Sequence, residues 1–141
     1  MKFKTPKVQE RFQDMCELAQ DIARELDHLA QKHFNVEITL TETVTTEKED
    51  EAVLRKSDTH RTRRAFDVRT NDLPEGCVAY IIKEIRKKYG MFGALANNQK
   101  NLIVYKPHGT GPHLHVQVSR KFQLPTIAYK ENTDGKEETT N

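Results

Sequence analysis

The stretch KSDTHRTRRAFDVRT, residues 56–70, reads as a polar turn running into a short strand, with His60 on the turn and Asp67 on the strand. Residues 64–69 (RAFDVR) are the strand candidate, since aromatic and β-branched residues flank the aspartate. A second strand candidate, 113–119 (HLHVQVS), opens with two histidines two positions apart. Residues i and i+2 of a strand point to one face, so His113 and His115 look into the same cleft.

Zinc takes nitrogen and carboxylate ligands in a tetrahedron, and a catalytic site leaves one position open, so three protein donors suffice. His60 and Asp67 supply two, and the HLH segment is the source of the third. Either histidine of that pair can bind the metal while the other moves a proton or holds a developing oxyanion. One zinc ion per chain is the expected cofactor.

Outward from these segments the pattern alternates between helix and strand. Residues 6–34 predict one long amphipathic helix, capped by Thr5 and opened by Pro6, with Phe12, Met15, Cys16, Ala19, Ile22 and Leu26 on its apolar stripe. Residues 36–44 (VEITLTETV) predict a strand, and the charged stretch 45–59 a loop or short helix. Asn71, Asp72 and Pro74 open a second helix that stops at Gly90. A turn follows over 91–100, then strands at 101–106 and 113–119 joined by the loop PHGTGP. The expected fold is α+β, an antiparallel sheet with helices packed on one face, in a single domain over residues 1–128. The polar residues 129–141 read as a disordered tail.

Composition narrows the function. The chain has 141 residues, enough for one modest core, and its formal charge of +2 comes from 23 basic and 21 acidic side chains largely interspersed. Without a clustered basic surface there is no electrostatic case for nucleic acid. The start, MKFKTPKVQE, lacks the apolar run of a secretory signal, and no segment approaches the ~20 apolar residues that span a bilayer. A monomer made in the cytoplasm, without a membrane partner, is expected. Cys16 and Cys77 fall in expected helices and read as buried thiols, with one disulfide as the alternative.

Taken together, HRTRRAFD at 60–67 and GTGPHLHVQV at 109–118 resemble the zinc peptidases that share the fold of D-Ala-D-Ala carboxypeptidases, the hedgehog signalling domain and lysostaphin. His60, Ala65 and Asp67 match the pattern His-x-x-Gly-x-Ala-x-Asp, and Arg63 stands in the glycine position. The second segment resembles the His-x-His strand of the penicillin-insensitive murein endopeptidases. The resemblance covers roughly residues 36–119 and extends to small bacteriophage members. It implies His60, Asp67 and His115 as zinc ligands and His113 as the non-ligand histidine. It also implies a metal-activated water that attacks an amide in the peptide part of bacterial peptidoglycan, with His113 assisting. A phage lysis or tail-associated enzyme, reaching the wall after release or as part of a virion, is the implied setting. His108, in the loop before the strand, is a further catalytic-site candidate that contacts substrate or supports the ligands; a solvated loop histidine is its other reading.

Three departures from the family pattern stand out. The acid found three residues before the last zinc histidine in many members is here Pro112, which places proton transfer on His113. The substrate-clamping Arg of those members has no counterpart in TETVTTEKED, leaving Arg55 or Arg64 as substitutes. The serine two residues before the first ligand is displaced by one, to Ser57. The competing expectation is therefore a non-catalytic, zinc-stabilised binding or virion protein of the same fold. A two-histidine phosphoesterase needs His-x-Thr/Ser in both halves, which His60-Arg61-Thr62 satisfies and His113-Leu114-His115 does not.

Overall fold

The computed structural model describes residues 1–107 and 111–129. In chain order its elements are β1 (Lys2–Phe3), α1 (Pro6–Phe12), α2 (Glu17–Phe34), β2 (Thr39–Glu42), α3 (Glu47–Ala52), β3 (Ala65–Arg69), α4 (Cys77–Tyr89), β4 (Ala94–Ala96), β5 (Gln99–Asn101), β6 (Ile103–Lys106) and β7 (His113–Gln117). Five strands form one sheet in the order β1-β2-β3-β7-β6, antiparallel throughout except for the parallel β1–β2 pair. The α+β expectation with a mostly antiparallel sheet is met.

The alternation of β3 and β7 divides the sheet into two chemically distinct faces. Phe66 pairs with Val116 and Val68 with Leu114, and all four are buried. They join Ile22 and Leu26 of α2 and Ile81 and Ile85 of α4 in the core, each fully buried. Burying such a side chain contributes about 1.5–3 kcal/mol. The opposite face carries Asp67, His113, His115 and Gln117, and residues 43–64 fold over it; α3 therefore borders the polar side, not the helical layer on the apolar face.

The expected single helix over 6–34 is two helices. Thr5 caps α1 as anticipated, accepting from the Val8 amide at 3.2 Å, and Pro6 opens it. Helical spacing of apolar residues continues through Phe12, Met15, Cys16 and Ala19, yet the chain breaks there. The Cys16 amide donates to Arg63 O at 2.8 Å and Cys16 becomes the extended N-cap of α2. A tertiary hydrogen bond to the segment carrying His60 thus displaces one turn of helix. Gln20 Nε2 satisfies the exposed carbonyls of Gln13 and Met15 at 3.2 and 2.9 Å.

The other elements are trimmed versions of those expected. The 36–44 strand shrinks to Thr39–Glu42, with a register shift between Leu40 and Glu42. Within 45–59, Thr46 and Glu49 form a capping box that starts α3. The turn at 91–100 contains the small β4–β5 hairpin, whose Asn97 and Asn98 take φ of 53° and 64°, the left-handed conformations a tight hairpin requires. Gly93 is irreplaceable locally, because a Cβ there would lie 2.7 Å from Leu102 N. Both cysteines are buried and free. Among the described residues, no helix is long and apolar enough to cross a membrane.

Candidate metal centre

β3 and β7 pair in a register that sets Asp67 directly opposite His115 and Arg69 opposite His113. The turn before β3 brings in His60 from above. The three groups His60, Asp67 and His115 are buried, and one donor atom from each lies within 4.8 Å of the others. Asp67 Oδ1 is 3.2 Å from His60 Nε2 and 2.9 Å from His115 Nδ1, and the two imidazoles stand edge to face with centroids 5.2 Å apart. His113 remains outside this cluster: its Nε2 is 4.0 Å from Asp67 Oδ2, and it lines the cleft that opens onto Asp67. His108, the remaining site candidate from the sequence, lies outside the described residues.

The hydrogen bonds behind the cluster determine which nitrogens carry protons. His60 Nδ1 sits 2.7 Å from Thr43 O, a group that can only accept, so Nδ1 is the N–H and Nε2 bears a lone pair. That Nε2 is fully buried without a hydrogen-bond partner, its approach to Asp67 lacking hydrogen-bond alignment. For His115 the same logic runs through Gln117. Gln117 Nε2 donates to Asn101 O at 3.3 Å, which turns Gln117 Oε1 toward His115 Nε2 at 3.0 Å. His115 thus lies between two acceptors, Gln117 Oε1 at Nε2 and Asp67 Oδ1 at Nδ1, the latter at 2.9 Å; with the proton on Nε2, Nδ1 is left free for a metal ion. His113 follows suit, with Nδ1 pinned to Gly111 O at 2.8 Å. Two imidazole nitrogens and a carboxylate oxygen thus converge, each ring with its far nitrogen facing an acceptor, a donor set that could hold a metal ion.

The electrostatics agree. Burial alone would raise the Asp67 carboxyl, but the charge of His60 and the hydrogen bond from His115 outweigh it and hold Asp67 well below the usual carboxylate range. Burial opposes protonation of His60, and the facing Asp67 charge overcomes it, so that His60 is raised. Burial lowers His115. The shifts of the His60–Asp67 pair both favour positive charge beside the Asp67 carboxylate. The donor set fits a metal ion: two neutral imidazoles with their far nitrogens anchored, one carboxylate, and an orphaned buried nitrogen.

The residues around the cluster sort into structural and accessible groups. Arg64 is 3% exposed and donates to Thr62 Oγ1, Val118 O and Asp58 Oδ1 at 3.0, 2.8 and 3.1 Å, so it locks the His60 turn and is withdrawn from the cleft. Arg55 does line the cleft, but Glu42 and Asp50 occupy its guanidinium at 2.7 Å each. Neither substitute for the family arginine is therefore free among the described contacts. Ser57 Oγ donates to Thr59 Oγ1 and shapes the turn leading to His60. Arg63, in the glycine position of the motif, has φ of 68°, the left-handed conformation that glycine adopts without strain. Sequence reasoning missed Thr43, whose carbonyl orients His60, and Gln117, which orients His115. The row His113, His115, Gln117 at i, i+2, i+4 was the one available signal for the latter.

Comparisons with protein-family models, with curated proteins and with solved structures found no match.

Proposed function

We propose that this chain is a zinc-dependent hydrolase that cleaves an amide bond in the peptide part of bacterial peptidoglycan. The observation that carries the reading is the convergence of His60 Nε2, His115 Nδ1 and Asp67 Oδ1, with the far nitrogen of each imidazole held from behind by an acceptor. His60, Asp67 and His115 would hold the ion. When bound, zinc supplies Lewis acidity, polarising an amide carbonyl and making water nucleophilic near neutral pH. Nitrogen and oxygen donors in a set of three, with an open side, suit zinc better than magnesium or calcium, which prefer oxygen-rich shells.

The chain's own groups divide the remaining work. His113 reaches the cleft with its Nδ1–H held by Gly111 O, which turns Nε2 toward the cleft, where it would accept a proton from the attacking side or pass one to the departing amine. Thr43 and Gln117 keep the ligand rings in their binding tautomers. The segment 43–64 excludes water from His60. Two further features support the kinship of this site with the peptidoglycan peptidases: the left-handed Arg63 in the place of the motif glycine, and the separation of one ligand histidine from one cleft histidine on β7.

The test is to incubate the purified chain with peptidoglycan, with and without a chelator, and to count new amine termini. Chelator-sensitive release of amines is expected. Stoichiometric zinc without new termini on any wall type would defeat the hydrolase reading and leave a zinc-stabilised, non-catalytic protein. The engagement of Arg55 and Arg64 in internal contacts is what keeps that alternative in view.

A further inference from the structure

A second cavity, of about 670 Å³, lies at Gln117 and, among the described residues, shares no lining residue with the cleft that contains Asp67 and His113. Along β7 the side chains of His113, His115 and Gln117 follow one another on one face, which puts Gln117 roughly 13 Å from His113 at the rise of a strand. Four cations line this cavity, Lys56, Arg61, Arg64 and Arg120, against the single described carboxylate of Asp58. Ala94, Leu95 and Ala96 of β4 add an apolar wall, in which Leu95 is 72% exposed.

The cations outnumber the carboxylates that hold them. Asp58 is shared by Arg64 at 3.1 Å and Arg120 at 3.7 Å. Asp50 is shared by Arg61 at 3.2 Å and Arg55 at 2.7 Å, and Glu42 pairs with the same Arg55. Lys56 is exposed and has no ion-pair partner among the described residues. Five cations therefore face three carboxylates, and two positive charges are left over beside the cavity. Burial lowers the Arg64 guanidinium; Asp58 opposes this and the Arg120 charge adds to it, so a further anion would relieve the pair. Arg64 has five N–H donors and three described acceptors, which leaves two N–H for a ligand. The Ser119 hydroxyl accepts from the Lys121 amide at 3.4 Å and keeps its own proton to donate.

We propose that this cavity binds the phosphate monoester group of a small organic ligand, with Lys56, Arg64, Arg120 and Ser119 donating to the phosphate and Leu95 covering the ligand's apolar body. A monoester carries nearly two negative charges at neutral pH and three strong acceptor oxygens. It therefore matches the surplus of two charges and the several separate donors better than a carboxylate or a phosphodiester, each with one charge. The site goes beyond the hydrolase reading and does not depend on it, because binding here needs neither metal nor turnover. Ser57, Asp58, Thr59 and Arg61 flank His60 in the chain, so a bound phosphate also braces the turn that carries His60.

The test uses the full chain with zinc in a phosphate-free buffer. NMR follows the backbone amides of Thr59, Leu95 and Ser119, the Gln117 side-chain amide, and the ring signals of His60, His113 and His115. Phenyl phosphate, inorganic phosphate, dimethyl phosphate, benzoate and an oligothymidylate are titrated in turn. Phenyl phosphate should shift the Thr59, Leu95 and Ser119 amides saturably, with inorganic phosphate several-fold weaker. Benzoate and dimethyl phosphate, with one charge each, should bind at least about tenfold more weakly than phenyl phosphate. Its affinity should rise between about pH 5 and 7, as the second phosphate proton leaves. The double variant Lys56→Gln/Arg120→Gln changes two exposed side chains outside the metal-ligand cluster and should weaken phenyl phosphate at least about tenfold. Leu95→Ala should bring phenyl phosphate toward the affinity of inorganic phosphate; equal affinities in the wild type overturn the assignment to an organic ligand. Benzoate or dimethyl phosphate binding as tightly as phenyl phosphate overturns the proposal, as does affinity unchanged in the double variant. So do shifts confined to the histidine rings, which mark direct coordination to zinc, and binding of the oligothymidylate alone, which marks a nucleic-acid surface.

Discussion

Replacing Gln117 with leucine should weaken zinc binding about 10- to 100-fold although Gln117 is not itself a ligand. In the native arrangement Gln117 Oε1 accepts from His115 Nε2 at 3.0 Å and competes with Asp67 for the ring proton. Leucine removes that acceptor, and the proton is then free to move to Nδ1, which already faces Asp67 Oδ1 at 2.9 Å. The resulting N–H···O⁻ bond is of the charged kind, worth about 1.5–3 kcal/mol. It stabilises the metal-free state and has to be broken before His115 can bind a metal. At 1.4 kcal/mol per tenfold this gives about the same 10- to 100-fold loss. Zinc affinity would be measured by competition with a chromophoric chelator at fixed pH, beside thermal melts with and without metal. The metal-free Gln117→Leu protein should melt close to the metal-free wild type while its gain on adding zinc shrinks. Gln117→Glu, which keeps an acceptor for Nε2–H, should retain affinity near the wild-type value. Unchanged zinc affinity in Gln117→Leu would refute the tautomer argument, as would equal destabilisation of the metal-free and zinc-loaded forms.

Other consequences are more local. Arg63→Gly removes a left-handed non-glycine residue (φ 68°) and a buried, unpartnered Nε, so chemical denaturation should show a gain of up to ~1 kcal/mol with zinc binding retained; a loss above that size would mean Arg63 contributes contacts beyond its 3.9 Å approach to Asp14. Burial would raise Glu49, but hydrogen bonds from Arg11 and Lys7 outweigh it and lower its pKa from 4.5 to about 2. Its stabilising contribution is therefore present above pH 4.5 and disappears as pH falls from 4.5 toward about 2; urea melts of Glu49→Gln should show a shallower acid decline than wild type, and parallel declines would count against it. Cys16 and Cys77, 5% and 0% exposed and unpaired, should react with a thiol reagent only after unfolding, when both become titratable; fewer than two reactive thiols without reductant would reveal a disulfide.

The residues of the buried cluster were legible because strand alternation is a local property: an aspartate in an apolar strand and histidines at i and i+2 can be read from neighbouring residues. Which of His113 and His115 joins the cluster is a matter of register, and the register between β3 and β7 joins residues 44 to 52 positions apart only at the level of the sheet, as in Asp67 opposite His115. The orienting groups were harder still. Thr43 acts through its backbone carbonyl, which any residue possesses, and Asn101 fixes the Gln117 amide in the same way. The helix break before Cys16 was hidden because the apolar spacing continues across it; the hydrogen bond from Cys16 to Arg63 O decides the matter from outside the helix. β1 is too short for alternation to register and is held by its pairing with β2. Arg64 illustrates the opposite error, a charged residue next to the motif that the fold uses to brace the His60 turn.

The most direct measurement is native mass spectrometry of the full chain in the presence of zinc, for wild type, Asp67→Ala, His115→Ala and His113→Ala. One zinc per wild-type chain is predicted, lost in Asp67→Ala and His115→Ala and kept in His113→Ala, because only the first two remove donors from the buried cluster. Zinc kept in Asp67→Ala, or lost in His113→Ala while His115→Ala retains it, would contradict the site as assigned.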